Sequence, residues 1–141
     1  MIRKYTEDDM DTILEIWLSA SIQAHGFISA EFWQANLENM RNIYLPASEV
    51  YVYELNSDVV GFYALHQNSL AALFVKPKQQ GNGIGKQLLT HAKNQRPILT
   101  LCVYKENQAS YQFYLSQGFS VIAENKDEHT GYPEYMMSTK V

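Results

Sequence analysis

One stretch of the sequence, residues 70–104, limits the fold more than any other part of the chain. Its apolar and β-branched runs predict strands over 70–75 and 98–104, and a glycine-rich loop between them leads into a helix from Gly83 to about Gln95. A strand–helix–strand crossover joins parallel strands through a right-handed connection. We therefore expect these two strands to be parallel neighbours in one sheet.

Two helices are expected before this unit. Thr6 is suited to cap the first helix, over residues 7–23, because hydroxyl side chains accept free N–H groups at helix starts. Ser29 is suited to cap the second helix, and Gly26 separates the two. The apolar face of the second helix is predicted to hold Trp33, Leu37, Met40 and Tyr44.

The other elements complete a mixed α/β pattern. Runs of β-branched and aromatic residues predict a hairpin, and a short helix is expected over 107–117. The predicted order is β-α-α-β-β-β-α-β-α-β-β, with strands over 2–5, 50–55, 59–66, 70–75, 98–104, 119–123 and 135–138. The 141 residues, 46% of them hydrophobic, predict one domain over 1–141 built around a single sheet.

Composition excludes several classes of protein. A single cysteine rules out an intramolecular disulfide, and a net charge of −4 argues against general nucleic-acid binding. No apolar run approaches the ~18–20 residues of a membrane span, and the first residues lack the apolar core of a signal peptide. We expect a cytoplasmic protein, monomeric or homodimeric, with no nucleic-acid or membrane partner.

The loop over 80–86, Gln-Gly-Asn-Gly-Ile-Gly-Lys, is the most informative segment. Glycines between a strand and a helix let backbone N–H groups point towards one spot, and the helix N-terminus adds partial positive charge, so such a loop favours phosphate. A dinucleotide fingerprint fails because Lys86 or Leu88 would have to be glycine. A Walker A loop fails because Gln80 stands at its first glycine and Gln87 replaces the Mg²⁺-binding hydroxyl.

A third pattern, Q/R-x-x-G-x-G/A, is matched at every specified position of this loop. A second motif follows the next strand and is similar to N-x-x-A-x-x-F/L-Y-x-x-x-G-F. It is carried by Asn107, Phe113, Tyr114, Gly118 and Phe119, with Ser110 where alanine is usual. Together the two motifs resemble the GNAT superfamily of acetyl-coenzyme A-dependent N-acetyltransferases. Further segments are similar to its YiaC/YjaB-type branch of small bacterial enzymes: Ile16-Trp17, Ala24-His25-x-Phe27-Ile28, Ala72-Leu73-Phe74-Val75 and Val103-Tyr104-x-x-Asn107.

This resemblance implies where acetyl-coenzyme A, the expected cosubstrate, would bind. The superfamily fold is a mixed, mostly antiparallel sheet with helices on both faces and a V-shaped opening between the two parallel strands. Pantetheine would lie there beside the Asn107 side chain, and no metal is expected. The backbone groups implied for pantetheine are those of Leu73, Phe74 and Val75, and those implied for the pyrophosphate are Gln80, Gly81, Asn82, Gly83, Ile84, Gly85 and Lys86.

The resemblance also implies direct attack of an amine on the thioester. A backbone N–H near Phe74 would polarise the thioester carbonyl, and Tyr114 would protonate the departing thiolate. A phenol suits this step because its pKa of ~10 keeps it protonated at pH 7.

The general base is missing from its usual place. Some relatives carry a glutamate five residues before the motif asparagine, but Cys102 stands there, and we expect it to be a small buried residue. His25, in the break between the first two helices, is the better candidate because imidazole titrates near neutral pH. The alternative is a structural histidine hydrogen-bonded at the helix end. Phe27 and Trp33 are expected either in the acceptor pocket or in the core.

Two functions therefore compete. The first is an N-acetyltransferase acting on a small amine or on a protein lysine or N-terminus. The second is a non-catalytic acyl-coenzyme A-binding module or sensor, which the absent glutamate favours and the presence of Tyr114 opposes. The surplus of carboxylates slightly favours a cationic acceptor.

Overall fold

The computed structural model describes residues 1–140 and contains a seven-stranded sheet in the order β1-β2-β3-β4-β5-β7-β6. The strands are β1 (Ile2–Lys4), β2 (Glu49–Leu55), β3 (Asp58–His66), β4 (Ser69–Val75), β5 (Thr100–Tyr104), β6 (Ser120–Lys126) and β7 (Pro133–Ser138). The α-helices are α1 (Met10–Ala24), α2 (Ala30–Ala35), α3 (Leu37–Asn39), α4 (Ile84–Gln95) and α5 (Gln108–Ser116). The predicted mixed α/β class is confirmed.

The pairing of the strands opens the sheet at one point. Neighbouring strands are antiparallel except β4 and β5, which are parallel as predicted and pair only at Ser69 and Thr100. Beyond that pair β4 and β5 separate, while β3 pairs with β4 as far as Val75. One edge of β4 is therefore bonded to β3, and its other edge faces the gap towards β5.

Helices cover both faces of the sheet and bury its two cores. On one face, Ile13 and Ile16 of α1 are fully buried against β2 and β3; on the other, Leu88 and Leu89 of α4 are fully buried. Burying each such side chain contributes about 1.5–3 kcal/mol relative to leaving it exposed. Within residues 1–140, none of the helices is long and apolar enough to cross a bilayer.

The first helix begins with a capping turn. A 3-10 turn over Glu7–Asp9 precedes α1, and the Asp9 carboxylate accepts the Thr6 N–H at 2.8 Å. The Arg3 guanidinium donates to the same carboxylate at 2.8 and 3.0 Å, which holds the pKa of Asp9 below its usual value. These bonds attach β1 to the start of α1.

The second helix is shorter and less regular than predicted. It divides into α2, α3 and a π-helical turn over Met40–Tyr44, closed by the Leu45 N–H donating to the Met40 carbonyl at 3.0 Å. The wider turn shifts the apolar face by one residue. Leu45 is consequently buried, and Tyr44, expected on that face, is 48% exposed.

Candidate active site

The gap between β4 and β5 is the mouth of a cleft of about 1150 Å³. We call its two walls the loop side, formed by β4 and the loop over 80–86, and the hairpin side. The hairpin side comprises His25 and Trp33, with Cys102, Tyr104, Asp127 and Glu134 from β5, β7 and the β6–β7 hairpin. Every residue predicted at the site lines the cleft except Asn82, whose side chain donates to the Gln79 carbonyl at 3.2 Å.

The loop side is made chiefly of backbone. Gly81 and Gly83 have φ of +84° and +80°, a conformation that other residues adopt only under strain, and open space lies where their Cβ atoms would be. Gly83 is the N-cap of α4, so the unbonded amides of the first helical turn point out of the loop. The Gln80 side chain donates to the Val75 carbonyl at 3.1 Å and fixes the loop to the end of β4.

These features make the loop an anion site. Unbonded N–H groups and the positive end of the helix dipole attract phosphate, and the exposed Lys86 adds a full positive charge in the first turn of α4. The strand edge of β4 continues from the loop into the cleft. A ligand with a phosphate end and an extended amide chain fits this sequence of groups.

Tyr114 enters the cleft from α5. Its ring packs edge-on against Phe119 and Phe113, with centroids 5.6 and 5.3 Å away. Burial of the hydroxyl raises the pKa of Tyr114 above its ordinary value, so the phenol remains protonated at neutral pH. Tyr114 is thus available as a proton donor and unavailable as a base.

His25 and Asn107 are joined, although 82 residues separate them in the sequence. The Asn107 amide donates to His25 Nε2 at 3.2 Å, and its oxygen accepts the Ser110 N–H at 3.3 Å as the N-cap of α5. His25 is 7% exposed, and within the described chain its Nδ1 has no hydrogen-bond partner. Burial lowers the pKa of His25, so the imidazole is neutral at pH 7.

Aromatic rings surround this histidine. Trp33, Tyr104 and Phe27 lie with ring centroids 5.2, 5.2 and 5.8 Å from that of His25. Of the two aromatics considered for an acceptor pocket, Trp33 lines the cleft. Phe27 is not part of the cleft wall and packs on Tyr104. Trp33 Nε1 is a second buried polar atom for which residues 1–140 provide no partner.

The expectation that Cys102 is buried is wrong. Side chains alternate along a strand, and Leu101 and Val103 occupy the core-facing positions of β5. Cys102 faces the opposite way, into the cleft, and is exposed there. Partial desolvation and the nearby Glu134 and Asp127 raise the pKa of its thiol, which is therefore protonated and a poor nucleophile at pH 7.

Two carboxylates of the hairpin side were not anticipated from the sequence. Asp127 accepts hydrogen bonds from the hydroxyls of Tyr104 and Thr130 and from the His129 N–H. Glu134 lies opposite Tyr104 in the pairing of β5 with β7. Nothing local in the sequence marks either residue, because the pairing of β5 with β7 brings Glu134 to the cleft and Asp127 reaches it from the turn between β6 and β7. Within residues 1–140 no group of three or more His, Cys, Asp or Glu side chains is arranged to hold a metal ion.

The cleft suits a donor with a phosphate end and an extended amide arm, as an acyltransferase that uses a coenzyme A thioester would need. Comparison with known proteins agrees, because the sequence model of the acetyltransferase (GNAT) domain family matches residues 46–121. YiaC of Escherichia coli, a peptidyl-lysine N-acetyltransferase, is 34% identical over 142 residues that cover all of this chain and 97% of the relative. This chain belongs to the GNAT family and is an N-acetyltransferase.

Solved structures agree with this assignment. The solution structure of apo YjaB from Escherichia coli matches with a TM-score of 0.87 and 28% identity over 99% of this chain and 97% of that one. The PaiA N-acetyltransferase of Thermoplasma acidophilum, solved with coenzyme A, matches with a TM-score of 0.85 and 22% identity over 100% and 98% of the two chains. The comparisons give no support to the non-catalytic alternative.

Proposed function

We propose that this protein transfers the acetyl group of acetyl-coenzyme A to the side-chain amine of lysine in proteins. The carboxylates and aromatic rings of the hairpin side carry this proposal, because together they suit an alkylammonium group. YiaC and YjaB, 34% and 31% identical to this chain, are both peptidyl-lysine N-acetyltransferases by name.

The charge of the hairpin side supports a cationic acceptor. Desolvation acts to raise the pKa of Asp127, but the hydrogen bonds that it accepts from Tyr104, the His129 N–H and Thr130 outweigh burial, so its pKa lies below the usual value. Asp127 is therefore ionised throughout the neutral range. A lysine ammonium that approaches the cleft gains an ion pair with it.

An aromatic cavity beside the cleft suits the rest of the acceptor. It has a volume of about 230 Å³, and it shares Trp17, Trp33, Tyr104 and Asp127 with the cleft. Aromatic faces attract alkylammonium groups through cation–π contacts worth about 0.5–2 kcal/mol. Trp33 also brings an indole N–H that lacks a partner within the described chain, and a peptide carbonyl would satisfy it.

The donor would bind along the loop side. We propose that the pantetheine amides pair with the free edge of β4 along Leu73, Phe74 and Val75, since the opposite edge of the strand is bonded to β3. The pyrophosphate would lie on the amides of residues 80–86 at the start of α4. Asn107 has one amide hydrogen left for the pantetheine arm once its other bonds are counted.

The reaction would then follow the direct route. The lysine amine attacks the thioester carbonyl carbon, and a backbone N–H of β4 near Phe74 stabilises the oxygen as it becomes negative. The C–S bond breaks, and the Tyr114 hydroxyl protonates the departing sulfur. His25, predicted as a candidate base, is better suited to positioning because its Nε2 already accepts the Asn107 amide.

Release of free coenzyme A thiol tests this function. Purified protein is incubated with acetyl-coenzyme A and either a lysine-containing peptide, the same peptide with glutamine for lysine, or a panel of small amines. We expect thiol release and a mass gain of one acetyl group only with the lysine peptide. Release with small amines and none with the peptide would contradict the proposed acceptor, and release with neither would contradict the proposed activity.

A further inference from the structure

Lysine acetylation requires a proton acceptor that the site described so far lacks. An amine with a pKa of ~10.4 is unprotonated in roughly one molecule in 2,500 at pH 7, so a group in the cleft must take up a proton for rapid turnover. The cleft offers several titratable side chains. Most of them are unsuited to the task for reasons that the structure gives.

Histidine, cysteine and tyrosine are unsuited for different reasons. His25 has a lowered pKa, and its Nε2 lone pair is engaged by Asn107. Cys102 and Tyr104 have raised pKa values, in both cases with desolvation as the largest cause, so they are already protonated at neutral pH. Tyr114 is protonated for the same reason.

The carboxylates of the hairpin side differ from each other. Asp127 accepts hydrogen bonds at both of its oxygens, and its lowered pKa makes it a weak base. Glu134 has a raised pKa, first because it is partly desolvated and second because Asp127 lies near it, whereas the nearby Cys102 thiol acts in the opposite direction. Glu134 is therefore the more basic of the two.

The strand pairing places Glu134 where a base is needed. Tyr104 is its register partner across β5 and β7, and Cys102 is two residues before Tyr104 on the same face. The Glu134 carboxylate therefore lies beside Cys102, the position on β5 from which the expected base glutamate is missing. It lines the cleft together with Tyr104 and Asp127.

We propose that Glu134, on the neighbouring strand, is the general base of this acetyltransferase, and that Asp127 holds the acceptor ammonium beside it. One proton passes from the ammonium to Glu134, directly or through a water molecule, and later leaves to solvent. The freed amine forms the C–N bond, the C–S bond breaks, and the sulfur gains the Tyr114 proton. Tyr114 recovers a proton from the new amide nitrogen, so the products are acetyl-lysine, coenzyme A thiol and one proton.

This inference rests on the proposed function and is tested by Glu134→Gln. We expect kcat/KM for the lysine peptide at pH 7 to fall by about 10²–10³-fold, within the usual range for loss of a general base. The loss should shrink as pH rises, because the variant uses free amine, whose fraction grows tenfold per pH unit up to the lysine pKa of ~10.4. A merely structural role would lower the rate by a similar factor at every pH.

Moving the carboxylate gives the sharper test. Cys102→Glu, added to Glu134→Gln, puts a carboxylate on the same face of the adjacent strand. We expect kcat/KM of this double variant at pH 7 to be at least tenfold higher than that of Glu134→Gln alone. Cys102→Gln in the same background should restore nothing. Glu124→Gln is the matched control, since Glu124 is exposed on β6, is paired with Lys105 and is not part of the cleft wall.

The outcomes separate this inference from the proposed function. If the parent is active and kcat/KM of Glu134→Gln lies within threefold of it, the role of Glu134 is overturned and the function stands. The same holds if the loss is independent of pH and Cys102→Glu does not rescue it. A parent that releases no thiol with the peptide or with small amines overturns both. A thermal-shift measurement of coenzyme A binding to every variant verifies that each is folded.

Discussion

The two walls of the cleft are built from different chemistry. Apart from Lys86, the loop side presents backbone amides, two left-handed glycines and a helix N-terminus, none of which titrates. The hairpin side presents carboxylates, a thiol, a histidine and aromatic rings, several with displaced pKa values. Binding of the donor should therefore be nearly independent of pH, and use of the acceptor should depend on it strongly.

Tyr114 lies between these walls, and its removal should have the largest effect. Tyr114→Phe deletes the oxygen and keeps the ring on Phe119, so we expect kcat to fall by about 10²–10⁴-fold with little change in acetyl-coenzyme A affinity. Steady-state kinetics and melting temperature on one preparation test this. Tyr111→Phe is the control on the same helix, since the Tyr111 ring stacks on Tyr135, away from the cleft. A kcat within twofold of the parent would remove Tyr114 from the mechanism.

Gly83→Val should damage the loop side alone. A φ of +80° costs a branched residue about 1–3 kcal/mol, and the new side chain would enter the space where a pyrophosphate must approach the backbone. We expect coenzyme A affinity to fall about 10- to 100-fold, measured by calorimetry. Parent protein should gain more thermal stability from coenzyme A than from NAD or ATP with Mg²⁺.

Gly131→Val is the matched control for backbone strain. Gly131 also has a positive φ, +76°, and open space at its Cβ position, but it lies in the β6–β7 hairpin. We expect this variant to lose stability and to keep its coenzyme A affinity. If both glycine variants weakened coenzyme A equally, strain alone would explain the loss, and the loop would not be the pyrophosphate site.

Asp127→Asn should affect the opposite wall. Removing the charge leaves the side chain nearly the same size, and we expect KM for the lysine peptide to rise roughly tenfold, the size of one charge-assisted contact, with KM for acetyl-coenzyme A unchanged. The effect should diminish in high salt because ionic attraction is screened. Asp11→Asn, at an exposed ion pair with Arg41, is the control. An unchanged peptide KM would show that Asp127 does not bind the ammonium.

The same division of the cleft decides what the sequence could predict. The glycine loop, the start of α4 and the parallel β4–β5 pair follow from contiguous residues, because turn chemistry and a crossover connection are local properties. Asp127 and Glu134 were missed because the pairing of β5 with β7 and the turn between β6 and β7, rather than any spacing along the chain, carry them to the cleft.

Two further departures have local physical causes that the residue pattern conceals. Cys102 lies in an apolar run, and an apolar run does not reveal which face of a strand is covered. On the face of β5 that holds Cys102, the core beneath α1 does not include this residue, which is exposed. The π-helical turn at Met40–Tyr44 inserts one residue into the helical period, which moves Leu45 into the core in place of Tyr44. Neither feature affects the loop side, whose prediction needed only the order of the residues.

The smallest expected effect concerns His25 and stability rather than turnover. Its pKa is lowered in the folded protein, chiefly by burial, so its neutral form stabilises the fold above the unfolded pKa of ~6.5, and that stability is lost as pH falls towards the lowered value. One such group changes the free energy of unfolding by at most about 1.4 kcal/mol per pH unit. We therefore expect the melting temperature of the parent, relative to that of His25→Gln, to decline between about pH 6.5 and 5.

Turnover should respond differently in the same variant. If His25 only orients Asn107, His25→Gln keeps a polar partner for that amide, and kcat/KM should fall only a few-fold with its pH profile unshifted. Comparing the two proteins at each pH cancels the groups that they share, such as Glu134, whose raised pKa acts on stability in the opposite direction. A loss of the acidic limb of the pH–rate profile in His25→Gln, with that limb intact in Glu134→Gln, would transfer the role of base from the carboxylate to the imidazole.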